Sequence, residues 1–482
     1  MGLYQLLEPS ERTAIIEPNG RVSSFADLHR ESGRLGGYFH RQLGVGGRVL
    51  LMQPVGIDLY NVVVGLFAAG ATGVLVDPSA GYRRVRETLQ RIGVRGVVGP
   101  WWAQALRLVF PELRGGSAYL GGLGATSYAR AVGGPLPQRF DEDTPALITF
   151  TTGSTGRPKA VARSHAFLVA QHRVLSQHLG LGPGDVDLAT LPVFALSSLA
   201  SGATVVFPDS NLRKPASVDP GRVLPQMRAQ GVSHVTASPA FLAPLARELL
   251  KHGDTYQNLR GCFTGGARVS ASLGRDLCIA FPRARVEVVY GSTEAEPIAA
   301  LDVRASIEAM EVGEREGLGA LVGTPVPEIE VRVVRPGTLD AADVGEIVVS
   351  GPHVNRRYWD DPEADAANKI AEGHVVWHRT GDTGRLDAQG RLWLVGRVAD
   401  MVGELHPFPL EIRAERVPGV HRAALVDAGG PVLAYEGDEA TAELRRATGI
   451  DRVLRVDRVP VDPRHNAKID RAKLRAMIGS PR

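Results

Sequence analysis

The most informative stretch of this sequence runs Leu147-Ile-Thr-Phe-Thr-Thr-Gly-Ser-Thr-Gly-Arg-Pro-Lys159. Its apolar first half predicts a buried strand, which leads into a loop with four hydroxyl residues, two glycines and one lysine. Glycine lets backbone N–H groups approach a ligand closely, hydroxyls add donors, and lysine adds a positive charge. We therefore predict that the loop binds a polyphosphate through Thr151, Thr152, Gly153, Ser154, Thr155, Gly156 and Lys159.

This loop is not a Walker A motif. That motif requires a glycine followed directly by lysine and then by serine or threonine. Here Arg157-Pro158 separates Gly156 from Lys159, and Ala160 follows the lysine. An ordinary Gly/Ser/Thr turn is the alternative interpretation, but so many donors directly after a strand favour phosphate binding.

The composition is that of a globular protein rather than a disordered or nucleic-acid-binding one. The chain has 482 residues, 44% of them hydrophobic, and its 55 basic and 52 acidic residues leave a formal charge of +3. No run of like charges provides a surface for nucleic acid, so we expect no nucleic-acid partner. Only six basic residues are lysines, at positions 159, 214, 251, 369, 468 and 473. We expect Lys251, Lys369 and Lys473 to lie on the surface.

Neither the cysteines nor the apolar segments suggest export or a membrane. The two cysteines, Cys262 and Cys278, form no metal-binding or disulfide pattern. The first residues lack the apolar core of a signal peptide. The longest apolar run, Val62–Val76, is shorter than the roughly 20 residues of a membrane-spanning helix and predicts a buried helix followed by a buried strand. We therefore expect a cytoplasmic protein without a membrane span.

Short β-branched runs alternate with amphipathic helical segments along most of the chain. The runs are apolar on both faces, as in parallel strands covered by helices, and they predict an α/β fold. From about Pro325 the pattern becomes turn-rich and predicts a β-subdomain, with a short strand at Val375–Trp377 and a hairpin turn at Asp387-Ala-Gln-Gly390. We place a domain boundary near Val398, between a large domain at residues 1–397 and a small domain at residues 398–482.

The sequence of the predicted phosphate loop resembles the corresponding motif of the adenylate-forming superfamily. This superfamily contains acyl-CoA synthetases, peptide-synthetase adenylation domains and luciferases. Other motifs that resemble this family follow in the expected order, and together they cover most of the chain. They are Phe263-Thr-Gly-Gly-Ala267, Val289-Tyr-Gly-Ser-Thr-Glu294, His378-Arg-Thr-Gly-Asp382, Gly390-Arg-Leu-Trp-Leu-Val-Gly-Arg397 and Arg464-His-Asn-Ala-Lys-Ile-Asp470. The resemblance implies a large N-terminal domain of stacked, covered sheets with a β-subdomain, followed by a small, mobile α+β C-terminal domain.

The resemblance also implies which residues hold ATP and magnesium. Each of these residues, taken alone, also has an ordinary structural explanation: a tyrosine can end a strand, and a lysine can lie on the surface. Their joint occurrence in the family's order favours the functional roles. The nucleotide site would comprise Gly265, Gly266 and Ala267 beside the adenine and acyl pocket, Tyr290 against adenine with Gly291 and Ser292, Asp382 at the ribose hydroxyls, and Arg397 near ribose and phosphate. The catalytic groups would be Lys159 and Thr293 at the phosphates, Glu294 at magnesium, and Lys468 between the substrate carboxylate and the α-phosphate.

These residue types suit the activation of a small-molecule carboxylic acid. The acid is already ionised at neutral pH, so its attack on ATP needs no strong base. The difficulty is electrostatic, because one anion must approach a triphosphate while negative charge moves to pyrophosphate. Cations and N–H groups fixed around the phosphates reduce that barrier.

At several positions this chain has residues other than those most common in the superfamily. Ala399 stands at the hinge, where most members carry Asp or Lys; Ala195 stands where CoA ligases often place His; and the lysine motif reads Asn-Ala-Lys468. Some segments of the sequence resemble the β-lactone synthetases of bacterial olefin biosynthesis. One of them is Gly351-Pro-His-Val-Asn-Arg-Arg-Tyr358. In that branch, the hydroxyl group of an adenylated β-hydroxy acid displaces AMP. An intramolecular attack benefits from high effective concentration, so little domain rotation would be needed.

The sequence leaves other outcomes open for the second step and for catalysis itself. The favoured substrate is a fatty or 3-hydroxy fatty acid, but thioester formation on CoA or on the phosphopantetheine of a carrier protein is the alternative. A carrier protein or pathway enzymes would then be partners. A non-catalytic nucleotide-binding relative is disfavoured because the expected catalytic positions are filled, and a P-loop kinase is disfavoured by the absent Walker pattern.

Overall fold

The computed structural model describes residues 2–76, 82–121, 126–152, 158–461 and 469–479. Their contacts divide the chain into two compact units: Met1–Pro208 with Pro352–Lys369, and Asp209–Gly351 with Ile370–Arg482. Strands and helices alternate through most of the chain, so the predicted α/β fold is confirmed. In the described ranges, no helix is both long and apolar enough to cross a membrane.

The first unit consists mainly of parallel strands connected by helices. Its strands are β1 (Thr13–Ile16), β2 (Val22–Ser24), β3 (Arg48–Leu51), β4 (Thr72–Leu75), β5 (Gly96–Gly99), β6 (Ala118–Gly121), β7 (Pro145–Thr152), β8 (Pro158–Ser164), β9 (Val186–Ala189) and β10 (Thr204–Val206). Its helices are α1 (Phe25–Leu43), α2 (Ile57–Ala68), α3 (Tyr82–Ile92), α4 (Trp101–Val109), α5 (His165–Leu179), α6 (Pro192–Ala200) and, later in the chain, α11 (Pro362–Asn368).

Six of these strands form a sheet in the order β6-β5-β3-β4-β7-β8, and β9-β10-β1-β2 pair in a second group. All neighbours in the six-stranded sheet are parallel except β7 and β8, which form an antiparallel hairpin. The predicted helix and strand in Val62–Val76 are confirmed as parts of α2 and β4. Glycine lets α1 and α2 pack closely, since a Cβ atom on Gly36 would lie 2.9 Å from the Gly65 carbonyl oxygen.

The second unit joins parallel strands to an antiparallel region. Its strands are β11 (His234–Ala237), β12 (Gly261–Gly265), β13 (Arg285–Ser292), β14 (Ala295–Asp302), β15 (Ala320–Pro325), β16 (Glu330–Val334), β17 (Gly345–Ser350), β18 (Lys369–Glu372), β19 (Val375–Leu386), β20 (Leu392–Arg397), β21 (Val420–Asp427), β22 (Pro431–Gly437) and β23 (Arg452–Arg455). Its helices are α7 (Pro220–Ala229), α8 (Pro239–Lys251), α9 (Ala271–Ala280), α10 (Val303–Glu316), α12 (Pro407–Glu415), α13 (Thr441–Thr448) and α14 (Arg471–Gly479).

In this unit β11, β12 and β13 are parallel, and antiparallel strands continue the sheet in the order β14-β15-β20-β19-β17-β16. A separate three-stranded sheet, β21-β22-β23, packs with α12 and α13 around its own apolar core. The predicted turn at Asp387–Gly390 is confirmed, because the Asp387 carbonyl accepts a hydrogen bond from Gly390 N–H. The boundary predicted near Val398 remains a prediction.

Strand β19 is much longer than the short strand predicted at Val375–Trp377. The segment Thr380-Gly-Asp-Thr-Gly384 contains two glycines and an aspartate, which are more typical of turns than of strands. In the fold β19 lies between β17 and β20, whose ladders hold it extended. Gly384 is required for this packing, since a Cβ atom there would lie 2.5 Å from the Trp393 carbonyl oxygen.

A buried carboxyl group lies on β9 in the first unit. Asp187 is completely shielded from solvent, and the Ser198 hydroxyl donates a 2.7 Å hydrogen bond to its Oδ2 atom. Its Oδ1 atom has no hydrogen-bond partner among the residues that the structure describes. Burial disfavours the charged form and raises the pKa of Asp187 to about 7, although the Ser198 hydrogen bond lowers it.

We expect Asp187→Asn to stabilise the protein more at pH 8 than at pH 5. In the unfolded chain Asp187 ionises near its ordinary pKa of 3.8, whereas in the folded protein it keeps its proton until about pH 7. As pH rises between these values, the folded state therefore loses about 4 kcal/mol relative to the unfolded state. Asparagine avoids this loss, so the variant's advantage in melting temperature should increase with pH.

The control for this substitution is Asp343→Asn, which changes an exposed aspartate. Its melting temperature should follow that of the unsubstituted protein across the same pH range. If the effect of Asp187→Asn on melting temperature is the same at pH 5 and pH 8, Asp187 does not keep its proton in the folded protein.

Candidate functional site

The predicted phosphate loop connects the two strands of a hairpin in the first unit. In the register of β7 and β8, Thr151 pairs with Lys159 and Thr152 pairs with Pro158. The backbone therefore leaves and re-enters the sheet at adjacent positions, which have five residues between them in the sequence. The predicted ligands Gly153, Ser154, Thr155 and Gly156 lie outside the described residues.

Lys159 is the second residue of the return strand β8 and contacts a distant part of the chain. Its Nζ atom donates a 2.7 Å hydrogen bond to Oδ1 of Asn368 and lies 5.6 Å from the ring centroid of Tyr358. Lys369 also contacts this ring, with its Nζ atom 5.0 Å from the centroid. The expectation that Lys369 is an ordinary surface residue is wrong, because its side chain is half-buried against Tyr358.

In the second unit, the predicted adenine loop follows the carboxyl end of β12. Gly265 lies directly beside β13, and a Cβ atom on it would lie 2.2 Å from the Val289 carbonyl oxygen. Only glycine permits that approach of the two strands. Gly266 follows with a φ angle of +79°, which also favours glycine, and Ala267 continues the loop.

Tyr290, Asp382 and Arg397 come from three strands and meet at one carboxylate. The Tyr290 hydroxyl donates a 2.8 Å hydrogen bond to Oδ2 of Asp382, and Nε of Arg397 lies 3.0 Å from Oδ1. Asp382 and Arg397 face each other because they are paired in the register of β19 and β20. The structure therefore assembles three predicted nucleotide-binding residues into one cluster.

The electrostatics of this cluster keep Asp382 available as an acceptor. Burial, followed by the charge of Asp382, raises the pKa of Tyr290, so the phenol stays protonated and donates. The charge of Asp382 raises the pKa of Arg397. Each carboxylate oxygen accepts more than one hydrogen bond, so Asp382 has capacity for further donors such as ribose hydroxyls.

The remaining predicted residues of the Val289–Glu294 motif end β13 and form a tight turn. Ser292 pairs with Ala295 across the hairpin of β13 and β14, which leaves Thr293 and Glu294 as the turn residues. Gly291 is close to the opposite strand, since a Cβ atom there would lie 2.9 Å from the Ala295 carbonyl oxygen. The turn thus places a threonine and a carboxylate at the end of the strand that carries Tyr290.

Two buried hydroxyls on β12 and β13 have unused hydrogen-bonding capacity. In the described part of the chain, neither Oγ1 of Thr264 on β12 nor Oγ of Ser292 on β13 has a hydrogen-bond partner. Both lie near the carboxyl ends of parallel strands, where α/β proteins usually bind ligands. A polar ligand would satisfy these hydroxyls and remove the penalty of burying them unpaired.

Glu294 fits the predicted magnesium ion as a single protein ligand. Its side chain is largely buried, at 8% exposure. The described ranges contain no group of three or more His, Cys, Asp or Glu side chains that could hold a metal. Magnesium bound with a nucleotide usually needs only one or two protein carboxylates, because phosphates and water supply its other ligands.

The predicted catalytic lysine, Lys468, lies outside the described residues, but the chain on either side of its loop is described. Val461 and Ile469 form an antiparallel bridge, and the Asp470 N–H donates a 2.9 Å hydrogen bond to the Pro460 carbonyl. The described residues that flank Lys468 in the chain are therefore joined by backbone pairing. The stretch around Ala399, which is the predicted hinge, forms a single 3-10 turn at Val398–Asp400.

A comparison with known protein families identifies the family to which this chain belongs. Residues 5–359, about three-quarters of the chain, match the family model described as AMP-binding enzyme. The chain belongs to the AMP-binding enzyme family. This membership confirms the predicted superfamily and makes the chain an adenylating ligase, an enzyme that joins an acid to AMP.

Two relatives within the AMP-binding family match nearly the whole chain. An olefin beta-lactone synthetase from Stenotrophomonas maltophilia is 34% identical over 90% of this chain and 86% of its own. A protein of the same name from Xanthomonas campestris is 33% identical over 97% of this chain and 94% of its own. The motifs that resemble the β-lactone synthetases thus belong to a similarity that extends along nearly the whole chain.

Solved structures show the same fold. An amide bond synthetase from Marinactinospora thermotolerans superposes with a TM-score of 0.83 over 99% of both chains, at 23% identity. At this level of identity the likeness shows the fold alone.

The contacts of Lys159 with Tyr358 and Asn368, and the place of Lys369 beside them, were not predicted from the sequence. Tyr358 and Asn368 lie in the segment Pro352–Lys369, which is distant in sequence from the rest of the first unit but packs with it in the folded chain. The scarcity of lysine was the available signal, because Lys369 was one of only six in the chain and had no assigned role.

Proposed function

We propose that this enzyme adenylates a 3-hydroxy fatty acid with ATP and then closes the acyl-adenylate to a β-lactone. The observation that carries the proposal is the match to two olefin beta-lactone synthetases over nine-tenths or more of the chain. A β-lactone is the cyclic ester of a 3-hydroxy acid, so the product class defines the substrate class.

In the first step, the ionised carboxylate attacks the α-phosphate of ATP, and the bond to pyrophosphate breaks. Asp382, held by Tyr290 and Arg397, accepts hydrogen bonds from the ribose hydroxyls. The phosphate loop with Lys159 holds the triphosphate, and Thr293 contributes a hydroxyl. Glu294 would hold a magnesium ion, which would supply positive charge beside the phosphates. Lys468 stabilises the negative charge that develops between carboxylate and α-phosphate.

In the second step, the 3-hydroxyl oxygen attacks the acyl carbon of the same molecule. A new C–O bond forms, the bond from the acyl carbon to the AMP oxygen breaks, and the hydroxyl proton is released. Because both groups belong to one molecule, the reaction needs no thiol acceptor and benefits from high effective concentration. If the predicted boundary near Val398 separates two domains, residues 398–482 would bring Lys468 to the adenylation site.

The test is mass spectrometry of the products from ATP, magnesium and a panel of 3-hydroxy and simple fatty acids, with and without CoA. We expect AMP and a β-lactone from 3-hydroxy acids in the absence of CoA. Simple fatty acids should stop at the adenylate, since they lack the attacking hydroxyl. A thioester formed only in the presence of CoA would instead identify an acyl-CoA ligase, and ADP rather than AMP would reject adenylation.

Replacing Glu294 with alanine should raise the magnesium concentration required for half-maximal adenylation. The substitution removes the one carboxylate assigned to the ion, so magnesium would be held only through phosphates and water. A magnesium titration of pyrophosphate–ATP exchange measures this shift. Glu308→Ala changes an exposed glutamate on α10 and serves as the control. An unchanged titration in the Glu294 variant would remove Glu294 from the metal site.

A further inference from the structure

A distant segment of the first unit lies along β8, the strand that follows the phosphate loop. Tyr358 forms an antiparallel bridge with Val161, and the Trp359 N–H donates a 2.8 Å hydrogen bond to the Ala160 carbonyl. The Asn355 amide donates a 2.7 Å hydrogen bond to the Ala162 carbonyl. These bonds hold the segment directly beside the strand on which Lys159 lies.

The ammonium group of Lys159 is held by two residues of this segment. Asn368 accepts its hydrogen bond, and the ring of Tyr358 lies within cation–π distance. The Asn368 amide has a defined orientation, because its Nδ2 atom donates a 2.7 Å hydrogen bond to the Ala364 carbonyl. Its Oδ1 atom therefore faces Lys159 as an acceptor.

Lys369 brings a second cation to the same ring. Its Nζ atom lies 5.0 Å from the centroid of Tyr358 and donates a hydrogen bond to the Asn355 carbonyl. The ring is buried, at 3% exposure, so the charges near it are poorly screened by water. Two ammonium groups therefore lie at one ring, beside the strand that follows the predicted phosphate loop.

We propose that Asn368, Tyr358 and Lys369 are positioning residues that set Nζ of Lys159 for the triphosphate of ATP. This inference rests on the proposed function and extends it to residues outside the phosphate-loop motif. An ammonium group has three donors, so Lys159 keeps its bond to Asn368 while it donates to a phosphate oxygen. Without these partners, the flexible lysine side chain would lose conformational entropy when ATP binds.

The test is a double-mutant cycle on the KM for ATP, measured by pyrophosphate–ATP exchange. We expect Asn368→Leu to raise this KM about tenfold, which corresponds to about 1.4 kcal/mol for a hydrogen bond to a charged group. In a Lys159→Met background the same substitution should have no further effect, because Asn368 acts through Lys159. If Asn368 has only a structural role, the effects of Asn368→Leu and Lys159→Met on the KM should multiply in the double variant. A lower KM in Asn368→Leu than in the unsubstituted enzyme would show that Asn368 holds Lys159 away from ATP. Either result overturns the proposal.

Two substitutions of Lys369 test the cluster independently of Asn368. Lys369→Met should raise the KM for ATP several-fold, whereas Lys369→Arg should restore it, since arginine keeps the charge and stacks on tyrosine. Lys251→Met, at an exposed position, and Asn19→Leu, at an exposed turn, are the matched controls. Equal KM values for Lys369→Met and the unsubstituted enzyme would overturn the role of Lys369.

Failure of this inference is distinguishable from failure of the proposed function. If the unsubstituted enzyme exchanges pyrophosphate but the cycle shows no coupling, only the positioning role is rejected. If the unsubstituted enzyme shows no exchange with any 3-hydroxy acid, the proposed function is rejected, and the positioning role falls with it.

Discussion

Replacing Lys468 with alanine is expected to slow adenylation by about 10²–10³-fold, the usual loss for one transition-state donor. The charge that Lys468 stabilises develops only as the carboxylate approaches the α-phosphate, so the effect should appear in the rate. ATP binding should change much less, because the other predicted nucleotide contacts lie between Thr151 and Arg397. Pyrophosphate–ATP exchange measures the rate, and titration calorimetry measures ATP binding.

Lys473→Ala is the matched control for this variant. Lys473 is an exposed lysine on α14, only one helical turn beyond the catalytic motif, so the substitution makes the same change in charge nearby. Its exchange rate should equal that of the unsubstituted enzyme. Near-normal exchange in Lys468→Ala would refute the catalytic role of Lys468, because the variant would lack the only group assigned to the developing charge.

The second large effect is expected at Arg471, just after the lysine loop. Its buried guanidinium lies 2.6 Å from Oε1 of Glu411 and 3.2 Å from Oδ2 of Asp400, and it donates a 3.0 Å hydrogen bond to the Leu425 carbonyl. Burial raises the pKa of Glu411 even with Arg471 beside it. One buried cation thus ties α14 to α12, to β21 and to the turn at the predicted hinge.

We expect Arg471→Leu to lower the free energy of unfolding by about 3–5 kcal/mol, because it leaves Glu411 buried without its cation. Adenylation should also fall, since Arg471 anchors the chain only three residues after Lys468. Thermal denaturation of the two variants Arg471→Leu and Arg471→Leu/Glu411→Leu measures the first effect. The double variant should recover part of the stability, because it removes the unpaired charge.

Arg475→Leu is the control, because Arg475 lies one turn further along α14 and is exposed. It should leave stability nearly unchanged. If the double variant is no more stable than Arg471→Leu, the loss does not come from an unpaired carboxylate, and the ion pair is not what holds this region together.

Much of the fold was predictable from local patterns, and short motifs named the three residues that meet at Asp382. The apolar strands and the helices between them predict the α/β fold, since burial on both faces leaves a continuous hydrophobic signature. The hairpin turn after Leu386 was predictable from its turn residues. The length of β19 was not, because its neighbours on both sides, rather than its own composition, keep Thr380–Gly384 extended.

By itself, the sequence determined the family, and it predicted the strand and loop at residues 147–159 and a set of nucleotide-binding residues, because these depend on short motifs in a fixed order. The tertiary structure alone decided which of them meet. Asp382 and Arg397 face each other only through strand register, and Asn368 reaches Lys159 across about 200 residues of chain. Such contacts have no local signature, since they depend on the pairing of distant segments rather than on the residues beside them.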